Sequence, residues 1–212
     1  MLGLLYKDFF SAKKEFILSF VIIGLFVAYS GVLGQEEMLG PTIGVLLSLG
    51  SMIPTYSIYY DKTCGWNKFV CASPASRTKV VLSKYLMGIL SALLFILAVI
   101  LDDLAAGSPL PTWSYPLFLG LIFFLQAIML PVSLKLGQNV VVVLFMLLIF
   151  LPTGILFGLN RSGILTDEAI RAAFAYVQTN AATLAPVGLL LTLVLYVGSF
   201  FLTRAFYGKM EF

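Results

Sequence analysis

The chain has 212 residues, 60% of them hydrophobic and only 11% charged, whereas a soluble domain usually carries about 25% charged residues. It has no histidine and only two cysteines, Cys64 and Cys71, so the side chains most used for metal sites, acid–base relays and nucleophilic dyads are nearly absent, which argues against an enzyme and predicts no catalytic, cofactor-binding or metal-binding residues. A net charge of +3 is too small to imply nucleic acid as a partner.

Residues 1–16 carry an apolar stripe, Leu2, Leu5, Phe9 and Phe16, opposite Gly3, Lys7, Ser11 and Lys14. That spacing predicts a helix lying in the headgroup layer with its lysines toward anionic lipid. No small-residue cleavage site follows the first apolar stretch, so that stretch is expected to stay as a span. A spanning helix needs roughly 20 mainly apolar residues, and six stretches qualify, at about 17–34, 39–60, 80–101, 115–134, 139–158 and 184–203.

In the second span Gly40, Gly44, Ser48, Ser51, Thr55 and Tyr59 recur at helical spacing, so small or hydroxyl-bearing residues fill one face. Such a face either packs helices closely or lines a substrate path. Gly44, Ser48, Ser51, Thr55 and Tyr59 are therefore the expected lining of a path or dimer seam. Pro54, in the same helix, predicts a bend.

The connection 61–79 reads DKTCGWNKFVCASPASRTK. Its middle can form a short helix displaying Trp66, Phe69 and Val70, ended by Ser73-Pro74 because proline disfavours helix at the residue before it. Ser76 is placed to cap the third span. The plainer alternative is a basic interfacial loop. The two cysteines lie seven apart, outside the CxxC spacing of redox and metal motifs, and read as free thiols. Lys84, one turn inside the third span, is expected to snorkel to the interface. No charge falls near the middle of any span and no internal repeat is evident, which disfavours an ion-coupled carrier.

Residues 159–183 form the longest outer connection. Thr166 can cap a helix whose first turn holds Asp167 and Glu168, with Ile170, Phe174 and Val177 on one face. The pattern predicts a short amphipathic helix at the outer surface, after Pro152 and Gly154 have interrupted the fifth span, or else an ordinary exposed loop helix. Alternate segments put Lys7, Lys13, Lys14, Lys62, Lys68, Arg77, Lys79, Lys84, Lys135, Arg204 and Lys209 on one side and only Arg161 and Arg171 on the other. Eleven against two places both termini and the 61–79 connection in the cytoplasm. The expected fold is an all-α integral membrane protein, with residues 1–212 forming a single transmembrane domain.

This order of elements resembles the membrane subunits of type-2 ABC transporters: an interfacial amino-terminal helix, six spans, a helical cytoplasmic loop after the second and an outer helix before the sixth. The stretch YDKTCGWNKFVCASPASRTKVVLSKYL, from Tyr60 to Leu86, is similar to the family's segment with an acidic residue, an aromatic, a Ser-Pro turn and an Arg before SKYL. The layout is similar to permeases that export phenol-soluble modulins and related bacterial peptides. The resemblance implies that Trp66, Asn67, Lys68 and Phe69 form a coupling helix docking into an ATPase, in a bacterial plasma membrane. It also implies two permeases, identical or paralogous, with two ATPase subunits that bind ATP and magnesium.

The chain has no GxxxxGK[ST] phosphate loop; Gly208-Lys209 is preceded by Thr203 where the first glycine should stand and followed by Met210. ATP hydrolysis therefore belongs to a separate subunit. The expected path runs between the first, second and fifth spans of two copies. Eighteen phenylalanines with serine, threonine and tyrosine hydroxyls suit an amphipathic peptide of toxin or antimicrobial type. Lipid-like molecules and hydrophobic drugs or antibiotics are the alternatives, and a non-transporting assembly or immunity protein is the alternative of another class. The lack of a sizeable outer domain argues against very large surface polymers as cargo.

Overall fold

The computed structural model describes residues 2–33, 39–66, 69, 77–106, 110–162 and 167–208. Seven helices lie among them: α1 Leu2–Ser11, α2 Lys13–Leu33, α3 Leu39–Thr63, α4 Arg77–Ala106, α5 Ser114–Leu136, α6 Gln138–Arg161 and α7 Asp167–Gly208. Within this set Arg77–Leu101, Ser114–Leu136 and Ala175–Gly208 are long and apolar enough to cross a membrane.

The helices form because long runs of Leu, Ile, Val, Phe and Ala satisfy their own backbone hydrogen bonds, as an apolar solvent demands. Two of them end at a glycine. Gly137 (φ 95°) separates α5 from α6 in a conformation that favours glycine, and its N–H donates to the Ser133 carbonyl at 3.2 Å. Gly65 (φ 67°) performs the same turn after α3. At the opposite end of the bundle the buried Asp103 carboxylate accepts the Leu110 N–H at 2.7 Å and the Tyr115 hydroxyl, closing the connection into α5.

Helices α3, α4, α5 and α7 surround one apolar core that includes Ile53, Val81, Phe95, Phe123, Leu130 and Tyr196. At mid-bundle the buried Gln126 amide nitrogen lies 3.0 Å from the Gly50 carbonyl, 3.1 Å from the Gly88 carbonyl and 3.1 Å from Ser91 Oγ. That knot ties α3, α4 and α5 where backbone carbonyls have no water to meet. Beside it the Tyr196 hydroxyl donates to the Tyr85 carbonyl at 2.7 Å, joining α7 to α4.

Four expectations are corrected. The outer helix and the sixth span are one element, α7, of 42 residues running through Pro186. The side chains of Thr179, Asn180 and Thr183 donate to carbonyls three or four residues back at 2.8–3.0 Å, so their polar groups are met without a break in the helix. Likewise Pro152 and Gly154 leave α6 uninterrupted. In the amino-terminal segment, the buried face is Asp8, Ala12, Phe16 and Ser19, at spacings of four, four and three, while Phe9 is exposed. Finally, Lys84 does not snorkel, for a physical reason given below. Thr166 and Ser76 lie outside the described residues.

A buried ion cluster under the aromatic loop: candidate functional site

Three helices bring four charges together at one end of the bundle. Lys7 and Asp8 come from α1, Asp61 from the last turn of α3, and Lys84 from the second turn of α4. The Lys84 ammonium lies 2.6 Å from Asp8 Oδ1 and 2.6 Å from Asp61 Oδ2. Lys7 lies 2.9 Å from Asp8 Oδ1 and also pairs with Asp61. Asp8 is 1% exposed and Lys84 2%, so these pairs are shielded from the water that makes surface ion pairs weak.

Hydroxyls complete the cluster. Ser83 Oγ donates to Asp8 Oδ2 at 2.8 Å, Ser57 Oγ donates to Asp8 Oδ1 at 3.1 Å, and the Lys84 ammonium lies 2.7 Å from Ser57 Oγ. A buried charge is tolerable only when it is paired and its remaining lone pairs and protons are met. That is why Lys84 turns inward rather than to the headgroups: two carboxylates and a hydroxyl stand within reach. Burial by itself would raise the Asp8 pKa, but the Lys84 and Lys7 ammoniums outweigh it and hold the carboxyl below its ordinary value of 3.8.

The cluster is joined to the aromatic loop through Lys7, whose ammonium stands 4.7 Å from the centre of the Trp66 ring. Trp66 packs against the core and meets Phe69 at 5.1 Å between ring centroids, tilted by 35°. Phe69, on the outer side of that ring pair, is 63% exposed. Both residues are helical in backbone, whereas Asn67 and Lys68 lie outside the described residues. The sequence thus placed two aromatics on one short element, and the structure divides them into an inward ring and an outward ring.

Both ends of this connection are anchored to helix termini. Lys62 Nζ donates to the carbonyls of Ser133 and Leu134, each at 2.8 Å, in the last turn of α5. Arg77 Nη1 donates to the Gly208 carbonyl at 2.7 Å, at the end of α7. Cations at helix carboxyl ends satisfy orphan carbonyls and the macrodipole together. Tyr60 adds a bond from its hydroxyl to Glu15 Oε1 at 2.7 Å, reaching α2. Residues flanking the aromatic loop therefore touch α1, α2, α4, α5 and α7.

On the small-residue face of α3, Ser51 and Thr55 are fully buried inside this single chain. Thr55 Oγ1 donates to the Met52 carbonyl at 2.6 Å and accepts from Gln138 Nε2 at 3.3 Å, so it joins α3 to α6. Tyr59 is exposed, beside a recess of about 290 Å³ that Lys62, Gly137 and Gln138 also line. The side chains of Gly44 and Ser48 lie outside the described residues.

Sequence reasoning did not single out Asp8, Ser57 or Ser83, and it met Asp61 only as the acidic residue of the Tyr60–Leu86 stretch. The available signals were an aspartate at the margin of the apolar stripe of the amino-terminal helix and Lys84 one turn inside a span.

Residues 3–207 match the family described as ABC-2 family transporter protein. No curated protein matches the chain.

Proposed function

We infer that this chain, which belongs to the ABC-2 transporter family, uses its buried ion cluster to pass the motion of a separate ATPase into the membrane helices. Family membership makes it a membrane permease subunit with an ABC ATPase as partner. The further reading is an exporter, with six spans, both termini in the cytoplasm, two permease copies and an amphipathic peptide as cargo. Lipid-like or drug-like cargo is the second reading, since an apolar lining discriminates poorly between such molecules.

The observation that carries the coupling role is the contact of Lys7 with both Trp66 and Asp61. Phe69, outward and exposed, is the group an ATPase surface would grip. Displacing it moves Trp66, against which Lys7 rests. Through Asp8, Asp61 and Lys84 the displacement reaches α1, α3 and α4 as one body, because a shielded pair strongly resists separation. ATP shifts the permease between two access states only if it favours one arrangement of this assembly over the other.

The test separates grip from transmission. With the purified chain, its ATPase and amphipathic peptide in proteoliposomes, Phe69→Ala should weaken ATPase association. Trp66→Ala should preserve association and cut cargo-stimulated hydrolysis several-fold, as loss of a contact worth about 0.5–2 kcal/mol implies. Full coupled activity in both variants would refute the coupling role. Absence of any cargo-stimulated hydrolysis in the unaltered complex would favour an assembly or immunity protein instead.

A further inference from the structure

We propose that the recess between α5 and α7, on the half of the bundle that bears the ion cluster, binds an anionic phospholipid: an acyl chain fills the recess and the phosphate meets the Lys135 ammonium. The recess has a volume of about 510 Å³ and is lined by Phe124, Ala127, Pro131, Val194, Gly198 and Leu202 among others. It belongs to two helices long and apolar enough to span a membrane, so it opens sideways at the depth of lipid chains. An apolar recess of this kind is covered more favourably by hydrocarbon than by water.

The glycines along the seam differ in what stands opposite them. At Gly120 an added Cβ would stand 3.4 Å from Thr192 Oγ1 and 3.5 Å from the Leu189 backbone, as in a close helix crossing. At Gly198 an added Cβ would find nothing within 4 Å. The small residue there leaves room rather than bringing backbones together.

The charge at the end of the recess completes the match. Lys135 follows Pro131 by one helical turn, and its ammonium stands 4.9 Å from the centre of the Phe206 ring, itself one turn beyond Leu202. Among the described residues Lys135 has no carboxylate partner, unlike Lys7 and Lys84. Its donors are available to a phosphate at the level where headgroups lie.

The experiment reconstitutes the chain with its ATPase, without nucleotide, and measures the motionally restricted fraction of spin-labelled phosphatidylglycerol and of spin-labelled phosphatidylcholine. The unaltered protein should retain the anionic lipid about fivefold better, as expected for one lysine at the membrane surface. Lys135→Gln should abolish that preference and leave phosphatidylcholine unchanged. Gly198→Leu should reduce the restricted fraction of both lipids, and Val194→Trp, at an exposed position of the lining, does so independently should the glycine variant fail to insert. Equal retention of the two lipids by the unaltered protein, or a preference that survives Lys135→Gln, would overturn the proposal. So would disulfide cross-linking of a Val194→Cys variant to a second copy, which would give the recess a protein occupant. The readout needs no hydrolysis, so its failure is distinct from failure of the coupling role.

Discussion

Replacing Lys84 by methionine keeps the length and most of the bulk of the side chain and removes only the ammonium. In the native cluster two ammoniums face two carboxylates, and Lys84 supplies one pair to each carboxylate at 2.6 Å. After Lys84→Met, Lys7 alone faces Asp8 and Asp61, leaving one buried negative charge unbalanced. Breaking a buried pair from one side costs about 3–5 kcal/mol. At roughly 2–4 °C per kcal/mol for a chain of this size, the expected fall in melting temperature is about 6–20 °C, read by thermal unfolding in detergent. The double variant Asp8→Asn with Lys84→Met restores neutrality and should recover most of that loss, a coupling of about 2 kcal/mol or more. A single variant within about 1 kcal/mol of the native protein, or strictly additive effects in the double, would refute the view that these charges act as a unit.

Because the Asp8 pKa is depressed in the folded chain, its contribution is fully present above pH 3.8 and is lost only as pH falls through the lower folded value. Melting temperature followed from pH 8 downward should therefore show no step from this carboxylate until below pH 4; a step between pH 7 and 5 would contradict the assignment. Gly88→Ala puts a Cβ against the Tyr196 hydroxyl and 2.7 Å from Gln126 Oε1, so a loss of about 1–3 kcal/mol in thermal unfolding is expected. Exposed Cys64, next to the aromatic loop, should react with an impermeant maleimide in inside-out vesicles and not in sealed cells; the reverse pattern would invert the proposed orientation.

Much of the architecture could be read from hydrophobic run lengths. The fourth span, expected at 115–134, is α5 at Ser114–Leu136, because a proline-containing apolar run between a turn and a glycine leaves little freedom. Breakers were overrated in α6, where Pro152 and Gly154 both sit inside the helix, and the boundary expected between residues 183 and 184 lies inside α7. The ion cluster was illegible for a different reason. Helical periodicity identifies which residues share a face, but Asp8 and Lys84 are 76 positions apart, and nothing in either local pattern names the other. In the amino-terminal segment the face that docks is led by an aspartate and an alanine, Asp8 and Ala12, rather than by the apolar stripe. Trp66 and Phe69 were found together because both belong to one short motif, while the packing of Trp66 under Lys7 and the exposure of Phe69 depend on tertiary contacts.

The bookkeeping of sign within the cluster bears on how α1 can travel. That helix contributes one cation and one anion, Lys7 and Asp8, and the remainder of the bundle contributes one of each, Asp61 and Lys84. Drawing the two halves apart strands no net charge on either, because each can close on itself as a neutral pair. A joint built this way resists small displacements yet can part and reseal, which a lone cation facing a lone anion in lipid could do only at far greater electrostatic expense.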